Sequence, residues 1–284
     1  MNAIEMKHIT KTYPSFSLND VSFTLPSGCV MGLIGENGAG KSTTIRLLMD
    51  TVKRDAGEVL ILGTSNQSAE FQTVKEEIGI VLDEAYFPQN LNAKQVNILM
   101  KSAYKNWQED IFFGYLKQFG LAETKRFKDF SRGMKMKLSI AAALSHQPKL
   151  LILDEATSGL DPVARDEIIE LFNDFTREED HSILISSHIL SDLEKICDYI
   201  AYLHHGRLLF FEEKDLLKEK YGILKISSSA LPDIPEDAVL AKKESRYSTE
   251  LFVRRSLLSD AFETEPAGIE DIMLFFAKKE DSLK

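Results

Sequence analysis

Val-Met-Gly-Leu-Ile-Gly-Glu-Asn-Gly-Ala-Gly-Lys-Ser, residues 30–42, is the stretch that decides the fold of this chain. Its first part, Val30–Ile34, is a compact apolar run that ends at a glycine, which is typical of a strand buried on both faces. Residues Lys41–Asp50 predict a helix. Between them, Gly35–Ser42 fits the pattern G-x-x-x-x-G-K-[ST], which forms a tight loop where a strand precedes it and a helix follows. The sequence therefore predicts a strand, a glycine-rich loop and a helix in succession.

This loop has the chemistry of a phosphate site. Glycines let the backbone turn so that successive N–H groups point inward around phosphate oxygens, and the following helix adds the positive end of its dipole. Lys41 carries a charge suited to the β- and γ-phosphates, and the Ser42 hydroxyl suits Mg²⁺. An accidental glycine-rich turn is the alternative, but the bare pattern arises by chance in roughly one chain of this length in a hundred. Many protein classes share the loop, so it predicts a phosphate-containing ligand but not a particular function. The residues assigned to nucleotide binding are Gly35, Asn37, Gly38, Ala39, Gly40, Lys41, Ser42 and Thr43.

Composition narrows the class of protein. The 284 residues carry a formal net charge of −10, with 44% hydrophobic and 27% charged residues, as in ordinary globular chains. An acidic chain repels phosphate backbones, so we expect no nucleic-acid partner, although a local patch can oppose the net charge. No apolar run approaches the roughly 18–20 residues that cross a bilayer, and no secretory signal is expected. With Cys29 and Cys197 far apart, a reduced, cytoplasmic protein is the simplest prediction.

Short apolar runs alternate with helical patterns as far as about residue 211. Strands are predicted at 58–62, 78–82, 149–154, 182–186, 199–203 and 207–211, and helices at 162–175 and 189–196. The alternation predicts an α/β fold with a largely parallel sheet, interrupted by a helical insert at about 84–146. After residue 222, short strand-like runs and a helix at 269–277 follow. We therefore expect a main domain at 1–219 and a small accessory region at 220–284.

A pair of acids ends the apolar strand predicted at 149–154. A strand buried on both faces delivers Asp154 to its C-terminal edge, where α/β sheets bind ligands. Asp154 suits the Mg²⁺ shell, and Glu155, which faces a different way, suits a base that polarises the water attacking the γ-phosphate. Two solvated acids at a strand end are the alternative. The phosphate loop upstream favours the metal and base interpretation.

Five motifs in a fixed order resemble the ATP-binding subunits of ABC transporters, over about residues 3–211. They are the phosphate loop, Phe130-Ser131-Arg132-Gly133-Met134 at a helix start, Leu-Ile-Leu-Asp-Glu at 151–155, Ser158-Gly159-Leu160-Asp161-Pro162, and Ser187-His188. The size, the single domain and the C-terminal extension that contains Pro-Ala-Gly-Ile-Glu-Asp-Ile at 266–272 are most similar to the bacterial ABC-2 type exporter group. The resemblance implies a P-loop NTPase core of ABC type with an antiparallel β subdomain, a helical signature subdomain and a small α+β C-terminal extension.

The resemblance also implies roles for particular residues. Ser131 and Gly133 match the signature residues that meet the γ-phosphate of ATP on the other protomer, and Asp161 matches a loop between protomers. His188 matches the histidine that links the γ-phosphate to the base. Tyr13 stands where the family places a ring that stacks on adenine, with a half-buried strand-end tyrosine as the alternative. The predicted catalytic residues are Glu155, His188 and Lys41.

Three positions depart from the family pattern. Met134 replaces the signature glutamine. Arg132 replaces the first signature glycine, and it is either a solvated surface arginine or an extra charge near the partner's phosphate. Asp83 stands where the family has a glutamine that touches Mg²⁺ and senses the membrane partner. Aspartate is charged but shorter, so it either reaches the metal through a water or weakens the sensor. The predicted metal ligands are Ser42, Asp83 and Asp154.

In function, the resemblance implies an ATP-hydrolysing motor subunit that uses ATP and Mg²⁺. It implies a dimer with a second copy or a paralogous subunit, held at the inner face of the cell membrane by transmembrane permease subunits, and exporting drugs, antimicrobial peptides or similar cargo. A non-transport ABC ATPase of cluster assembly, translation or DNA metabolism is the alternative. DNA-repair and translation members are disfavoured because sustained heptads and a second phosphate loop are lacking, and cluster-assembly members because they lack an appended region like that after residue 220. Cargo selection belongs to the membrane subunit, so the sequence names no cargo.

A docking site for that membrane subunit is expected at 83–89, where the nucleotide core joins the helical insert. Tyr86 and Phe87 are aromatic residues of the kind enriched at interface centres, and Pro88 limits the freedom of the loop. Packing of both rings into the core of the insert is the alternative.

Overall fold

The structure is a computed structural model that describes residues 1–83, 87–226, 234–244, 249–259 and 261–282. The chain divides into two compact units, Met1–Leu208 and Leu209–Lys284. The predicted boundary between residues 219 and 220 falls inside the second unit and stays a prediction.

Strands and helices alternate along most of the described chain. The strands are β1 (Asn2–Tyr13), β2 (Phe16–Pro26), β3 (Val30–Ile34), β4 (Ala56–Ile61), β5 (Thr64–Ser65), β6 (Ile78–Val81), β7 (Leu150–Asp154), β8 (Ser182–Ser186), β9 (Tyr199–His204), β10 (Arg207–Glu213), β11 (Tyr221–Ile226), β12 (Val239–Glu244), β13 (Thr249–Arg254) and β14 (Glu265–Pro266). The helices are α1 (Lys41–Leu48), α2 (Phe71–Val74), α3 (Ala93–Ala103), α4 (Glu109–Gln118), α5 (Arg132–Leu144), α6 (Pro162–Phe175), α7 (Leu190–Ile196), α8 (Lys214–Lys220) and α9 (Ile269–Asp281). The predicted α/β fold class is confirmed.

A six-stranded sheet carries the predicted phosphate loop. Its strand order is β10-β9-β3-β8-β7-β6, and β3 runs parallel to β8 and β9, while β7 runs parallel to β6 and β8. Every residue of β3, β7 and β8 is buried, which explains why these strands read as unbroken apolar runs. Because parallel strands end at the same edge, the segments that follow β3, β6, β7 and β8 lie side by side.

An antiparallel sheet of order β2-β1-β4-β5 forms the subdomain that the family resemblance implied. Glu5 of β1 pairs with Thr24 of β2 and with Leu60 of β4. The sequence pattern of residues 2–26 predicts no individual strands. The reason is irregular pairing: the register shifts along β1, and His8 and Asp20 have φ angles of 52° and 50°, which breaks the alternation of apolar and polar residues.

The predicted helical insert contains α3, α4 and α5. Asn92 is the N-cap of helix α3. Its side chain accepts a hydrogen bond from the N–H of Gln95, and the Gln95 side chain accepts one from the N–H of Asn92. The indole of Trp107 donates to the buried side-chain oxygen of Asn97 at 2.7 Å. Packing of Phe112 and its neighbours between the helices completes the interior of this segment.

The second unit is a small α+β arrangement, as expected. Its sheet has the order β12-β13-β11-β14, and Leu224, Ile234, Leu251 and Val253 form a buried cluster. Helix α8 was not predicted, because seven residues dominated by lysine and acids give little apolar periodicity. Across the part of the chain that the structure describes, no helix combines the length and the apolar character needed to cross a membrane.

Candidate nucleotide site

The phosphate loop joins β3 to α1 and is shaped by its glycines. Gly38 and Gly40 have φ angles of 84° and 115°, in the left-handed region that other residues disfavour. At Gly40, an added Cβ would lie 2.8 Å from Cδ1 of Leu18, so this position also lacks room for a side chain. Gly40 is the N-cap of α1 and supplies no side-chain cap, which leaves the first N–H groups of the helix suited to an anion.

Lys41 is buried at the start of α1, with 7% of its side chain exposed. Its Nζ donates to the carbonyl oxygen of Gly35 at 2.6 Å and lies 3.8 Å from Oε1 of Glu155. A buried ammonium group is stable only with such partners. The loop therefore holds a positive charge beside the backbone that is expected to surround phosphate.

Asp154 ends β7 as a buried carboxylate, 5% exposed. Its Oδ1 accepts a hydrogen bond from the hydroxyl of Ser186 at 2.5 Å. Ser186 ends β8, and the two residues are paired in the parallel register of β7 and β8. The sheet itself thus supplies the donor that holds this carboxylate in place.

Glu155 turns away from the strand that delivers it. Its φ of 54° is unusual for a residue with a side chain, and its N–H donates to the carbonyl oxygen and the hydroxyl of Ser186, each at 3.1 Å. Strained backbone of this kind concentrates at functional sites. The turned side chain places Oε2 at 2.5 Å from Nδ1 of His188 and Oε1 next to Lys41. The three predicted catalytic residues are therefore brought together.

A pocket lies over the phosphate loop and gathers residues that are far apart in sequence. Asp83, which follows β6, lines it together with Ser42 and Glu155. The full lining is Ser15, Phe16, Glu36, Asn37, Gly38, Gly40, Lys41, Ser42, Thr43, Asp83 and Glu155. Tyr13 is half-buried outside this lining, with Nζ of Lys11 at 5.6 Å from its ring centre, and its assignment to adenine stays a prediction.

The two predicted signature residues, Ser131 and Gly133, and Asp161 of the predicted loop between protomers lie at two helix starts. Ser131 is the N-cap of α5 and accepts from the N–H of Met134 at 3.3 Å, and Gly133 lies against the loop at 158–161. Asp161 is the N-cap of α6, and the N–H of Ala164 lowers the pKa of its carboxyl group. The pocket lining given above includes none of Ser131, Gly133 and Asp161, so their assignment to a partner's nucleotide stays a prediction.

The oxygen donors near the loop fit a magnesium ion. Ser42 offers a hydroxyl and Asp83 a carboxylate at the pocket, while Asp154 ends the neighbouring strand β7. Mg²⁺ prefers hard oxygen ligands and uses few of them from protein. The three residues predicted as metal ligands are chemically suited to that role.

Four residues of this site were not predicted from the sequence: Ser15, Phe16 and Glu36, which line the pocket, and Ser186, which donates to Asp154. Ser186 was assigned only to a strand, and Phe16 was not singled out, although its ring lies 3.0 Å from the position of a Cβ added to Gly40. For Ser186 a signal existed, because it directly precedes Ser187-His188 at the end of a buried strand. Phe16 had no comparable signal, since its place depends on how β2 packs against the loop.

Replacement of Ser186 with alanine is expected to lower the free energy of unfolding by about 1–3 kcal/mol, because the buried Asp154 carboxylate loses a donor. Urea denaturation followed by circular dichroism measures this. Ser187→Ala is the control, since the Ser187 hydroxyl accepts from the N–H of Ile189 and its loss should cost less. Wild-type stability in Ser186→Ala would contradict the importance of this hydrogen bond.

Comparison with known proteins identifies the family. The model of the ABC transporter family matches residues 18–158. The bacitracin transport ATP-binding protein BcrA of Enterococcus faecalis is 36% identical over 72% of this chain and 68% of its own length. The lantibiotic transport ATP-binding protein SrtF of Streptococcus pyogenes is 34% identical over 75% of this chain and 91% of its own length.

Solved structures agree with this result. An ATP-binding subunit of an ABC transporter is 29% identical and superposes with a TM-score of 0.70 over 76% of this chain and 92% of that chain. A dimeric ATP-binding cassette in a post-hydrolysis state with ADP and Pi has a TM-score of 0.67 over 74% of this chain and 98% of that chain. Its identity is 22%, so it supports the fold alone.

The fold and the phosphate pocket define an ATP-binding protein of the phosphate-loop class. The chain belongs to the ABC transporter family. The predicted assignment to an ABC-type ATP hydrolase is thereby confirmed.

Proposed function

We propose that this chain is the ATP-hydrolysing motor subunit of an ABC exporter for antimicrobial peptides or chemically similar cargo. The observation that carries the proposal is the Glu155 carboxylate, which lies between Nζ of Lys41 in the phosphate loop and Nδ1 of His188. This arrangement places a hydrogen-bonded carboxylate next to the expected γ-phosphate.

Each member of the site has a distinct task in hydrolysis. The loop N–H groups and Lys41 bind the β- and γ-phosphates and offset their charge. Glu155 orients a water and accepts its proton as the water oxygen bonds to the γ-phosphorus and the bond from that phosphorus to the β-phosphate oxygen breaks, releasing ADP and phosphate. His188 holds Glu155 through the 2.5 Å contact between its Nδ1 and Oε2, and its exposed ring is available to the phosphate.

Mg²⁺ belongs to the proposed site, with Ser42, Asp83 and Asp154 as the residues that would hold it directly or through water. The ion, when bound, supplies positive charge to the β- and γ-phosphate oxygens. The Ser186 hydroxyl fixes the orientation of the Asp154 carboxylate that would face the ion.

The proposal includes a dimer in which two chains share each nucleotide. Ser131 and Gly133 at the start of α5 would present a hydroxyl and an N–H group to ATP bound by the partner. At the start of α6, Oδ1 of Asp161 accepts hydrogen bonds from the backbone N–H groups of Val163 and Ala164. These bonds fix the end of the loop that would contact the other protomer.

Support for the cargo class comes from the relatives, whose names refer to bacitracin and lantibiotic transport. Both names describe transport, which favours a transporter motor over the non-transport ATPase considered above. The motor would work with separate permease subunits at the cytoplasmic face of the cell membrane. Co-purification with a permease, followed by ATP-dependent uptake of labelled peptide into inverted vesicles, tests the proposal. Failure to co-purify with any permease, together with no ATP-dependent uptake of peptide into the vesicles, would refute the exporter role.

A groove beside the phosphate pocket is the expected docking place for the permease. Leu82, Phe87, Met100 and Tyr104 line it, along with residues of α5. The ring of Phe87 packs edge to face on that of Phe127, with the ring centres 5.8 Å apart, and Phe87 is half-buried. Phe87 therefore packs partly into the helical insert, as one alternative predicts, and keeps an exposed part that a partner could contact, as the other predicts. Tyr86 lies outside the described residues.

Met100→Glu places a charge in this groove and is expected to weaken permease binding at least about tenfold, because the carboxylate must be desolvated by an apolar partner. ATP hydrolysis by the isolated subunit should remain near the wild-type rate. Ile98→Glu on the same helix is the control, since Ile98 is 67% exposed and outside the groove lining. Equal permease capture by all three proteins, measured with a tagged subunit, would place the docking surface elsewhere.

A further inference from the structure

Arg132 lies at the first position of α5, between two parts of the nucleotide site. Its Nη2 donates to Oδ1 of Asp83 at 2.7 Å and to the hydroxyl of Ser158 at 3.2 Å. The aliphatic stem of Arg132 lies along Gly159, where an added Cβ would be 3.0 Å from its Cδ. One side chain therefore contacts Asp83, in the segment that follows β6, and the loop after β7.

Both contacts lead to the phosphate pocket. Asp83 lines that pocket with Ser42. Ser158 donates its backbone N–H to the carbonyl oxygen of Glu155 at 2.9 Å. The loop that Arg132 contacts is therefore hydrogen-bonded to the backbone of the proposed base. An arginine can serve two acceptors in one plane because its guanidinium carries several fixed donors, whereas lysine offers a single point charge.

We infer that Arg132 is a positioning residue of its own chain's ATP site, which holds the Asp83 carboxylate and the Ser158 loop and competes with the metal for Asp83. The inference rests on the proposed function, since it needs Asp83 at a nucleotide-bound metal. Arg132 is then neither a solvated surface arginine nor a charge for the partner's phosphate, but a residue that makes contacts within its own chain. The contacts of Arg132 at the start of α5 thereby depend on whether a metal and nucleotide occupy the phosphate pocket of the same subunit.

The size of the effect is limited by solvent. Arg132 is 60% exposed and Asp83 48% exposed, and ion pairs with such exposure change equilibria by at most about fivefold. Release of Asp83 from Arg132 should therefore strengthen metal binding about two- to fivefold. Higher salt should reduce the difference, since the pair is open to screening.

A double-mutant cycle tests the inference without relying on turnover. Mn²⁺ binding to the full chain, in the presence of a non-hydrolysable ATP analogue, is measured by electron paramagnetic resonance for wild type, Arg132→Met, Asp83→Asn and the double variant. Methionine retains the stem that packs on Gly159 while removing the guanidinium. We expect Arg132→Met to lower the half-saturating Mn²⁺ concentration about two- to fivefold in the wild-type background and to leave it unchanged with Asp83→Asn. Arg132→Lys should lie between Arg132→Met and wild type.

Two results would overturn the inference, and a third would count against the proposed function instead. An Arg132→Met effect of equal size in both backgrounds would show that Arg132 acts without Asp83, as a contact to the partner's phosphate would. No effect of Arg132→Met in either background would show that Asp83 is not shared. Failure of the wild-type chain to bind the ATP analogue would instead refute the nucleotide site itself.

Discussion

Glu155→Gln is expected to slow ATP hydrolysis by about two to four orders of magnitude, while ATP still binds. Glutamine has the size and hydrogen-bonding reach of glutamate, but it carries no charge to orient the water or accept its proton. The neighbours Lys41 and His188 remain in place, so the pocket should keep its shape. Phosphate release measured on the purified subunit gives the rate, and binding of a fluorescent ATP analogue gives the affinity.

The same variant should accumulate as an ATP-bound dimer, because hydrolysis is the step that allows the two chains to separate. Size-exclusion chromatography with and without ATP measures this. Glu170→Gln on the exposed face of α6 is the matched control and should behave as wild type. A Glu155→Gln monomer with normal turnover would contradict both the proposed base and the composite site.

Removal of the Lys41 ammonium with Lys41→Ala should reduce ATP affinity about 10- to 100-fold and abolish most turnover. In the proposed site the ammonium would make charge-assisted hydrogen bonds to phosphate that no other side chain of the loop can replace. Its loss also frees the Gly35 carbonyl oxygen, to which Nζ donates at 2.6 Å, so the loop itself should lose order. Isothermal titration calorimetry with ATP measures the affinity.

A matched control separates this local effect from a change in net charge. Lys53→Ala removes an exposed lysine of the same unit and should leave both affinity and turnover near wild type. Circular dichroism should show that Lys41→Ala remains folded, because α1 is held by its buried apolar residues. Undiminished ATP binding by folded Lys41→Ala would remove this loop from the site.

Much of the site was predictable because its residues are contiguous. The phosphate loop lies within eight residues, Gly35–Ser42, that run from the end of β3 into the start of α1, and local glycine and lysine chemistry defines it. The strands β3, β7 and β8 were predicted because burial on both faces leaves an unbroken apolar run. Asp154 and Glu155 followed from the position of the acids at the end of β7.

The contacts across the edge of the sheet were determined by the tertiary structure alone. The order β8-β7-β6 places Ser186 on Asp154 and brings Asp83 into the pocket, and local sequence carries no information on which parallel strands are neighbours. The pairing of Arg132 with Asp83 likewise spans two segments whose approach depends on the packing of the helical insert. Residue chemistry thus determined which groups are suited to the proposed binding and hydrolysis of ATP, while strand order determined which of them meet, because side-chain contacts between distant segments arise only when the whole sheet is assembled.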